Sequence, residues 1–345
     1  MPREAATSRK ATLNDVARLA RVSRQTVSNA LNQPDVLRPE TLAQVQAAIE
    51  RLDYRPNRNA RSLRTQRSGL IGFCALRPEP DRLWTVLDRF LHAVTDAARR
   101  ADYHVVVFTP ENESQELETY ASVLRTRSVD GFILTDVRAG DERPAWLSRY
   151  QAPFVSLGRT PDSSDPWIDV DGAAGVAEAV DHLAALGHAD IAFLGWPEGD
   201  RVGDDRVAGW HDAIGRHGLA DRGTITRDHD TMTSAYRAGS HILDRPERPT
   251  AIIAASDTMA VGALRAARER GLTVGRDLAL VGFDDTPSAP LVTPPLTSLA
   301  QPLEEVGRLL VENLVAQLAG QRPEPYQALL KPTLVVREST GPPPA

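Results

Sequence analysis

The side chains best suited to chemistry lie near the N-terminus, in the run RQTVSNALN. Arg24, Gln25 and Asn29 are of the types that read DNA bases, because a guanidinium can form two hydrogen bonds with guanine and an amide can do the same with adenine. Gln25 and Asn29 are four residues apart and therefore share one face of a helix. The run predicts a helix that presents base-reading side chains to the major groove of DNA.

Short polar side chains in and around this run suit contacts with phosphate oxygens, which position a protein on DNA without reading its sequence. The candidates are Thr12, Ser23, Thr26, Ser28 and Asn32. The alternative is a small three-helix bundle with a polar surface, since helical hairpins are common in proteins of many functions.

Three predicted helices position these side chains. Thr12 followed by Asp15 is typical of a capping box, and Ser23 can cap a second helix that starts shortly afterwards. Two short helices joined by about three residues are typical of a helix-turn-helix, whose second helix enters the major groove. A third helix is predicted over Pro39–Leu52, with proline in its first turn.

The segment YRPNRNARSLRTQ has a weaker helical pattern. Asn57, Ala60 and Leu63 recur every three residues over a helix too short to be stable alone, since about 12–15 residues are marginal even for good helix formers. Such a helix would need DNA and a partner chain to fold, and Leu63 would then be a wedge for the minor groove. Without DNA, the segment is expected to be a polar linker.

The charge of the chain is divided unevenly between its two parts. Residues 1–67 carry 13 basic and 6 acidic side chains, a charge of +7, whereas the remaining residues carry 27 and 40, a charge of −13. A small basic head on a large acidic body favours a head that binds a polyanion. A basic surface that arose by chance is the alternative.

The body, from residue 68 onwards, alternates between strand-like and helix-like patterns. Seven apolar runs of strand length extend from Leu70–Leu76 to Leu278–Phe283, with segments of helical period between them. This alternation predicts an α/β fold with helices on both faces of parallel sheets, and the number of strands favours two sheets. Ligands of such folds bind beyond the carboxyl ends of the strands.

Two of these strand ends carry polar side chains. Ser256 and Asp257 lie where a strand leads into a helix, and Asp284 follows the next strand. Hydroxyl and carboxylate groups at such positions suit hydrogen bonding to a neutral polyol. The alternatives are helix capping by Ser256 or Asp257 and turn formation after Asp284.

The sequence lacks the usual signatures of catalysis. It contains no GxGxxG after a strand, no GxxxxGK[ST], no GxSxG and no HExxH, and its eight histidines do not cluster. We therefore expect no enzyme activity, no cofactor and no metal. Cys74 lies in an apolar run and is expected in the core. No signal peptide and no membrane-spanning run are apparent, which favours a cytoplasmic protein.

The head resembles that of the LacI/GalR family of bacterial transcriptional regulators. The segments TLNDVARLARVS, QTVS, ALN, YRPN and ARSLRT follow in the order and spacing of that family, from Ala11 to Thr65. The resemblance implies a homodimer that places two recognition helices on a near-palindromic operator and inserts Leu63 of each chain at the centre. Asn29 stands where the family often has arginine, and Arg38 replaces a usual capping serine or threonine.

The body is similar to the same family over most of its length. The segments HLAALGHADIAFLGW, DDRVAGWHDAI, SDTMAVGALRAARERGL, DLALVGFDD and PPLTSLAQPLEEVGRLLVENL carry the resemblance. It implies two Rossmann-like subdomains, like those of periplasmic sugar-binding proteins, with an effector between them. The matching positions are Arg206, Asp284, Ser256 and Gln301. RPEPDRLW replaces the family's Asn-Pro-aromatic entry, and Trp84 within it is expected either to stack on a sugar or to lie in the core.

These arguments predict the domain organisation and the function. The predicted parts are a polar arm (1–10) in a helix-turn-helix domain (1–54), a hinge (55–67), an N-subdomain (about 68–167 and 301–329), a C-subdomain (about 168–300 and 330–340) and a disordered tail (341–345). The predicted function is repression of a sugar-utilisation operon in the bacterial nucleoid, relieved by a small carbohydrate. The alternatives are a co-repressed regulator, a cytosolic binding protein without DNA activity, and an enzyme on a Rossmann-like scaffold.

Overall fold

The structure is a computed structural model that describes residues 11–54, 67–75, 85–138, 140–219 and 225–344. The chain divides into two compact units, Met1–Ser68 and Gly69–Ala345, which we call the head and the body. Within the described residues, no helix has both the length and the apolar character needed to span a membrane.

The described part of the head consists of three short helices around a small core. They are α1 (Leu13–Leu19), α2 (Arg24–Asn32) and α3 (Pro39–Arg51). All three lie where the sequence predicts them, and α3 ends one residue before the predicted Leu52. Their shared core consists of Val16, Ala17, Ala20, Val27, Val45, Ala48 and Tyr54. A core this small leaves most polar side chains of α2 on the surface.

Local hydrogen bonds set the starts of α1 and α2. The Thr12 amide donates to the Asp15 carboxylate at 2.9 Å and the Asp15 amide donates to the Thr12 hydroxyl at 3.4 Å, which confirms the capping box. The Thr26 amide donates to the Ser23 hydroxyl at 3.0 Å and begins α2. Helix α3 has no side-chain cap, because Arg38 occupies its N-cap position.

The body contains two six-stranded sheets. The strands are β1 (Leu70–Cys74), β2 (His104–Phe108), β3 (Gly131–Leu134), β4 (Phe154–Leu157), β5 (Trp167–Val170), β6 (Ile191–Gly195), β7 (Ile225–Arg227), β8 (Ala251–Ala254), β9 (Ala279–Asp284), β10 (Thr297–Ala300), β11 (Gln327–Leu330) and β12 (Thr333–Val335). The first sheet has the strand order β11-β5-β4-β3-β1-β2 and the second has the order β12-β10-β9-β8-β6-β7. Neighbouring strands are parallel except β10 and β12, which are antiparallel.

Each sheet and the helices packed on it form one lobe. The helices of the first lobe are α4 (Thr85–Arg100), α5 (Glu116–Arg125), α6 (Arg143–Arg149) and α11 (Leu303–Leu318). Those of the second lobe are α7 (Gly172–Ala185), α8 (Arg201–Arg216), α9 (Met232–Leu243) and α10 (Asp257–Glu269). Long apolar runs in the strands of both sheets are buried because helices cover both sheet faces.

The chain passes between the two lobes three times, after β5, β10 and β11. The first of these passages comes after Val170, whereas the predicted boundary between the subdomains lies at about residues 167/168. Strand β5 pairs with β4 and β11 and therefore belongs to the first lobe up to Val170. The strand is only four residues long and includes Asp169, so no continuous apolar run marks it in the sequence.

The C-terminal residues pack against the second lobe. The His188 Nε2 donates to the Gly341 carbonyl at 2.8 Å, and Ser339 is buried with its hydroxyl donating to the Leu280 carbonyl at 2.5 Å. The prediction of a disordered tail over 341–345 therefore does not hold for Gly341, because His188, which is distant in sequence, binds its carbonyl group.

The burial of His188 leads to a pH-dependent contribution to stability. Burial lowers the pKa of His188 below its ordinary value of 6.5, so the unfolded chain binds a proton more readily than the folded one. This part of the free energy of unfolding is present above pH 6.5 and is lost as the pH falls below it. Urea unfolding at pH 8 and pH 5.5 should show a smaller loss on acidification in His188→Gln than in the wild type. An equal loss in both proteins would contradict the assignment.

Candidate functional sites

The exposed face of α2 carries the side chains predicted to read bases. Arg24 and Gln25 are exposed, and Asn29 lies one turn further along the helix. The Gln25 Nε2 donates to the Asn29 Oδ1 at 2.9 Å, so the two amides do lie side by side. DNA would have to replace this hydrogen bond with contacts to a base, which both amides can form.

The residues predicted to contact phosphates have varied local roles. The hydroxyl groups of Thr12 and Ser23 cap helices, and the Thr12 hydroxyl donates to the Asp15 carboxylate at 2.6 Å. The Thr26 hydroxyl lies 2.9 Å from that of Ser23. Ser28 and Asn32 lie on α2, and Ser28 is half-buried. The capping role of Thr12 and Ser23 is one that the sequence also predicts.

The predicted hinge lies outside the described residues. Asn57, Ala60 and Leu63 all fall in the range 55–66, between the described ranges.

A cleft of about 600 Å³ separates the two lobes of the body. Its apolar wall includes Val86, Leu87, Phe90, Leu157, Val170 and Leu303. The charged side chains that line it are Glu111, Asp136, Asp169, Asp200, Asp205, Asp230, Asp284, Arg138, Arg159, Arg201 and Arg206. A wall rich in both hydrogen-bond acceptors and donors, with an apolar side, suits a polar organic ligand.

Arg206 is the most deeply buried charged side chain of the cleft. It lies in the second turn of α8, which begins at Arg201, whereas the sequence predicts a helix only over Arg206–His217. Its guanidinium carbon lies 3.6 Å from the centre of the Phe283 ring and 4.8 Å from that of the Trp196 ring. One nitrogen, Nη1, donates to the Ala255 carbonyl, whereas Nε has no hydrogen-bond partner among the described residues.

This environment determines the electrostatics of Arg206. Burial lowers the pKa of its guanidinium, and the carboxylates of Asp284 and Asp230 partly oppose this effect. A buried Nε–H without a partner costs free energy unless a ligand or water accepts its hydrogen bond. Arg206, which lines the cleft, therefore retains a donor that is not satisfied by the described residues.

Asp284 lies at the end of β9 and faces the same cleft. The Gln301 Nε2 donates to its Oδ1 at 2.5 Å. Burial raises the pKa of the Asp284 carboxyl to about 8, although the nearby Arg206 acts in the opposite direction. The structure thus brings Arg206, Asp284 and Gln301 together, as the resemblance implies.

Ser256 has a different role from the one expected. Its hydroxyl accepts from the Met259 amide at 3.1 Å and caps α10, and it donates to the Asp230 carboxylate at 2.5 Å. Ser256 is not among the described residues that line the cleft, whereas Asp230 is. The capping alternative considered for Ser256 is therefore correct. Trp84 lies outside the described residues.

Asp257 also has a structural role. It is fully buried and accepts hydrogen bonds from the Ser298 hydroxyl at 2.6 Å and from the amide and hydroxyl of Thr286 at 2.7 and 2.8 Å. Burial raises the pKa of Asp257 to about 6 in spite of these bonds. Asp257 therefore fixes the turn that follows Asp284 and is not available to a ligand.

Several side chains of the cleft were not predicted from the sequence. Trp196 follows β6, Arg159 follows β4 and Asp230 follows β7, so each lies at the carboxyl end of a parallel strand. The general rule for ligand sites in α/β folds therefore points to all three, although the predictions covered only the two strand ends near Ser256 and Asp284.

Ionic contacts join the lobes at the cleft. Arg159 of the first lobe pairs with Asp169 of its own lobe at 3.1 Å and with Asp205 of the second lobe. The Arg201 guanidinium of the second lobe lies 3.5 Å from the Thr160 carbonyl of the first. Surface ion pairs contribute little to stability individually, so these contacts are compatible with relative movement of the lobes.

The described residues that line the cleft offer both hydrogen-bond donors and acceptors. Within the described ranges, no group of three or more His, Cys, Asp or Glu side chains is placed to hold a metal ion. Three of the carboxyl groups in the cleft, those of Asp169, Asp230 and Asp284, pair with a guanidinium, a hydroxyl and an amide group respectively.

Two family descriptions match the chain. The description "Bacterial regulatory proteins, lacI family" matches residues 12–57, and "Periplasmic binding protein-like domain" matches residues 180–340. The first corresponds to the three-helix head. The second corresponds to most of the second lobe together with α11 and β11 of the first lobe.

Relatives of known type match almost the whole chain. The HTH-type transcriptional regulator CelR of Thermobifida fusca is 34% identical over 341 residues, which cover 96% of this chain and 98% of CelR. The structure of a CelR–cellobiose complex has a TM-score of 0.73 and 31% identity, covering 95% of this chain and 99% of that one. A lac repressor dimer bound to operator and the anti-inducer ONPF has a TM-score of 0.78 and 30% identity, covering 96% and 100%.

Proposed function

The chain belongs to the LacI family of bacterial transcriptional regulators, and from this premise we propose that it represses a sugar-utilisation operon and is released from its operator by a carbohydrate. The relatives described above are transcriptional regulators, not enzymes. We further propose that this chain has no catalytic activity and acts on the nucleoid, in the bacterial cytoplasm.

The observation that carries the proposal for the effector is the buried pair of Arg206 and Asp284 in the cleft. The Nε–H of Arg206 needs an acceptor, and the Asp284 carboxyl group, whose pKa burial raises to about 8, can both accept from and donate to a hydroxyl group. A sugar has vicinal hydroxyl groups that both donate and accept, so it satisfies both side chains at once. The structure of CelR with cellobiose supports a carbohydrate here.

We assign the effector-binding role to Arg206, Asp284 and Gln301, with Ser256 acting through Asp230. Trp196 adds an aromatic ring next to Arg206 and a buried Nε1 without a hydrogen-bond partner among the described residues. An aromatic ring can pack on the apolar face of a sugar, while its N–H donates to a hydroxyl. Trp84 remains a proposed stacking residue.

The proposed test of this assignment is a ligand screen followed by operator binding. Thermal unfolding of the full chain is measured with a panel of mono- and disaccharides that includes cellobiose. A ligand present at a hundred times its dissociation constant stabilises the folded state by about 2.7 kcal/mol and raises the melting temperature. Gel shifts with palindromic DNA then show whether the same sugar releases the protein. Failure of every sugar to stabilise the chain would contradict the carbohydrate assignment.

We propose that α2 reads the operator through Arg24, Gln25 and Asn29, with phosphate contacts from Thr12, Ser23, Thr26, Ser28 and Asn32. Exposure of Arg24 and Gln25 beside the N-terminus of α2 supports this, because the first turns of a recognition helix reach base edges. We also propose that the hinge residues Asn57, Ala60 and Leu63 bind the minor groove at the centre of the operator.

Arg24→Ala is expected to weaken binding to the operator by about 1–3 kcal/mol and to relax the preference at one base pair of each half-site, because a guanidinium that reads guanine is lost. The operator is first selected from random palindromes, and anisotropy titrations at fixed salt then compare single-base variants. Arg18→Ala is the control, since Arg18 of α1 is a largely exposed cation outside the reading helix. It should weaken binding to all sequences similarly. Unaltered base preference in Arg24→Ala would contradict this role of α2.

We propose that the protein acts as a homodimer. A near-palindromic operator needs two heads, and the lac repressor structure that matches this chain is a dimer on its operator. Sedimentation at micromolar concentration should give the mass of two chains, and a stable monomer or tetramer would contradict the proposal.

The sign of the response follows from the same proposal. The effector binds between two lobes, so it favours one arrangement of the lobes over another, and this change is expected to disfavour the hinge structure that inserts Leu63. Operator affinity should therefore fall when the sugar binds. Tighter operator binding in the presence of the sugar would identify the protein as a co-repressed regulator instead.

A further inference from the structure

The turn that carries Asp284 has an unusual backbone. Asp284 and the following Asp285 both have positive φ angles, of 108° and 45°. Residues with a side chain seldom adopt such angles, and they persist only where the surroundings hold them in place. The position of the Asp284 carboxylate in the cleft therefore depends on the groups that hold this turn.

Several of these groups belong to the second lobe. The Asp285 amide donates to the Ser298 hydroxyl at 3.0 Å, and the Asp285 carboxylate pairs with Arg337 at 2.7 Å. Asp257 accepts from the Thr286 amide at 2.7 Å. All of these contacts lie within one lobe and would move together with it.

Arg89 holds the same turn from the other lobe. Its Nη1 donates to the Asp285 carbonyl at 2.9 Å and to the Asp284 carbonyl at 3.3 Å, across 196 and 195 residues of sequence. Arg89 lies on α4, which the neighbouring Phe90 anchors in the core of the first lobe with only 1% of its surface exposed. Val86 and Leu87 of the same helix line the cleft.

We propose that Arg89 is a positioning residue that fixes Asp284 for the effector and makes this position depend on how the two lobes are arranged. The inference rests on the proposed role of Asp284 in effector binding. The hydrogen bonds that Arg89 donates satisfy the carbonyl groups of Asp284 and Asp285, which lie in a turn whose φ angles are unfavourable without support. When the lobes move apart, these bonds lengthen and the turn loses its support from the first lobe. Arg89 therefore links lobe arrangement to the affinity of the cleft for the sugar.

The first test needs no ligand. Hydrogen–deuterium exchange is measured on the full-length wild type, Arg89→Met, Arg89→Lys and Arg99→Met. Methionine keeps the aliphatic stem without donors, lysine restores a cationic donor, and Arg99 is an exposed arginine of the same helix that pairs only with Asp96 among the contacts described. In Arg89→Met, the peptide spanning residues 283–286 should exchange about tenfold faster, because loss of a charged donor loosens the turn.

The controls decide whether this change is specific. Arg89→Lys should return the exchange of this peptide close to that of the wild type, and Arg99→Met should leave it unchanged. Peptides from β8 should be unaffected in all variants. Wild-type exchange in Arg89→Met, absence of rescue by lysine, or an equal change in Arg99→Met would each overturn the proposal.

The second test measures the dissociation constant of the sugar that stabilises the wild type, with cellobiose as the first probe. Arg89→Met should bind it about tenfold more weakly, and Arg89→Lys should recover most of the affinity. Faster exchange with unchanged sugar affinity would overturn the link between Arg89 and the effector. If no sugar binds the wild type, the proposed function fails, whereas the exchange data still decide whether Arg89 holds the turn.

Discussion

Asp284→Ala is expected to remove the effect of the sugar on operator binding while leaving operator affinity without sugar unchanged. Asp284 belongs to the body, whereas the predicted base-reading side chains belong to the head, which is a separate compact unit. The substitution removes the buried Asp284 carboxyl group, which lines the cleft together with Arg206 and can accept a hydrogen bond from a ligand hydroxyl group. The coupling between effector and operator, typically about 1–3 kcal/mol in such systems, should fall to near zero.

The measurement is an operator titration at fixed salt with wild type and variant, each with and without the sugar. Alanine at a φ angle of 108° adds backbone strain, so Asp284→Asn, which tolerates positive φ better, is the second variant. Asp244→Ala is the matched control, because Asp244 is an exposed carboxylate of the second lobe that pairs with Arg270. A wild-type response in both Asp284 variants would show that the cleft has been assigned wrongly.

Trp210→Ala is expected to cause the largest loss of stability, about 3–5 kcal/mol. Trp210 is fully buried, is the largest such side chain of the described residues, and packs against Phe193 of β6 with ring centres 6.5 Å apart. Its removal leaves a cavity between α8 and the sheet, and α8 also carries Arg206. The stabilisation is expected to come from packing, since the indole Nε1 has no hydrogen-bond partner among the described residues.

Urea unfolding followed by circular dichroism gives the free energy of unfolding of each variant. Trp146→Ala provides the comparison, because Trp146 of the first lobe is half-buried and stacks on the exposed Tyr150 at 4.6 Å. It should cost clearly less than Trp210→Ala, and Trp210→Phe should recover much of the stability because it refills most of the cavity. Equal losses in the two alanine variants would contradict the packing argument.

Features that depend on neighbouring residues were predicted correctly. The capping box of Thr12 and Asp15 and the cap of Ser23 involve residues three apart, so the sequence contains both partners within one turn. The pairing of Gln25 with Asn29 follows from the 3.6-residue period of a helix in the same way. The alternation of apolar strands with helices likewise gave two parallel sheets, because burial on both faces requires continuous apolar runs.

Elements with weak local signals were not found in the sequence. Strands β5, β7, β10, β11 and β12 are only three or four residues long, so any apolar run within them is too short to mark a strand. Their strand conformation comes from pairing with neighbours that are distant along the chain. Helix α8 starts five residues before the predicted Arg206 because Asp200 caps it through the Gly203 amide at 2.9 Å.

The sequence by itself determined the composition of the head, the family resemblance and the strand ends that carry Asp284 and Ser256. Tertiary structure decided which of these side chains face the cleft. It placed the Ser256 hydroxyl at the N-terminus of α10 and against Asp230, and it brought Trp196 and Arg89 to the site. The physical reason is the range of the interactions. A cap or a helix face depends on atoms within four residues, whereas the hydrogen bonds from Arg89 to the turn at Asp284 join groups almost two hundred residues apart, whose meeting is fixed only by the packing of two complete lobes.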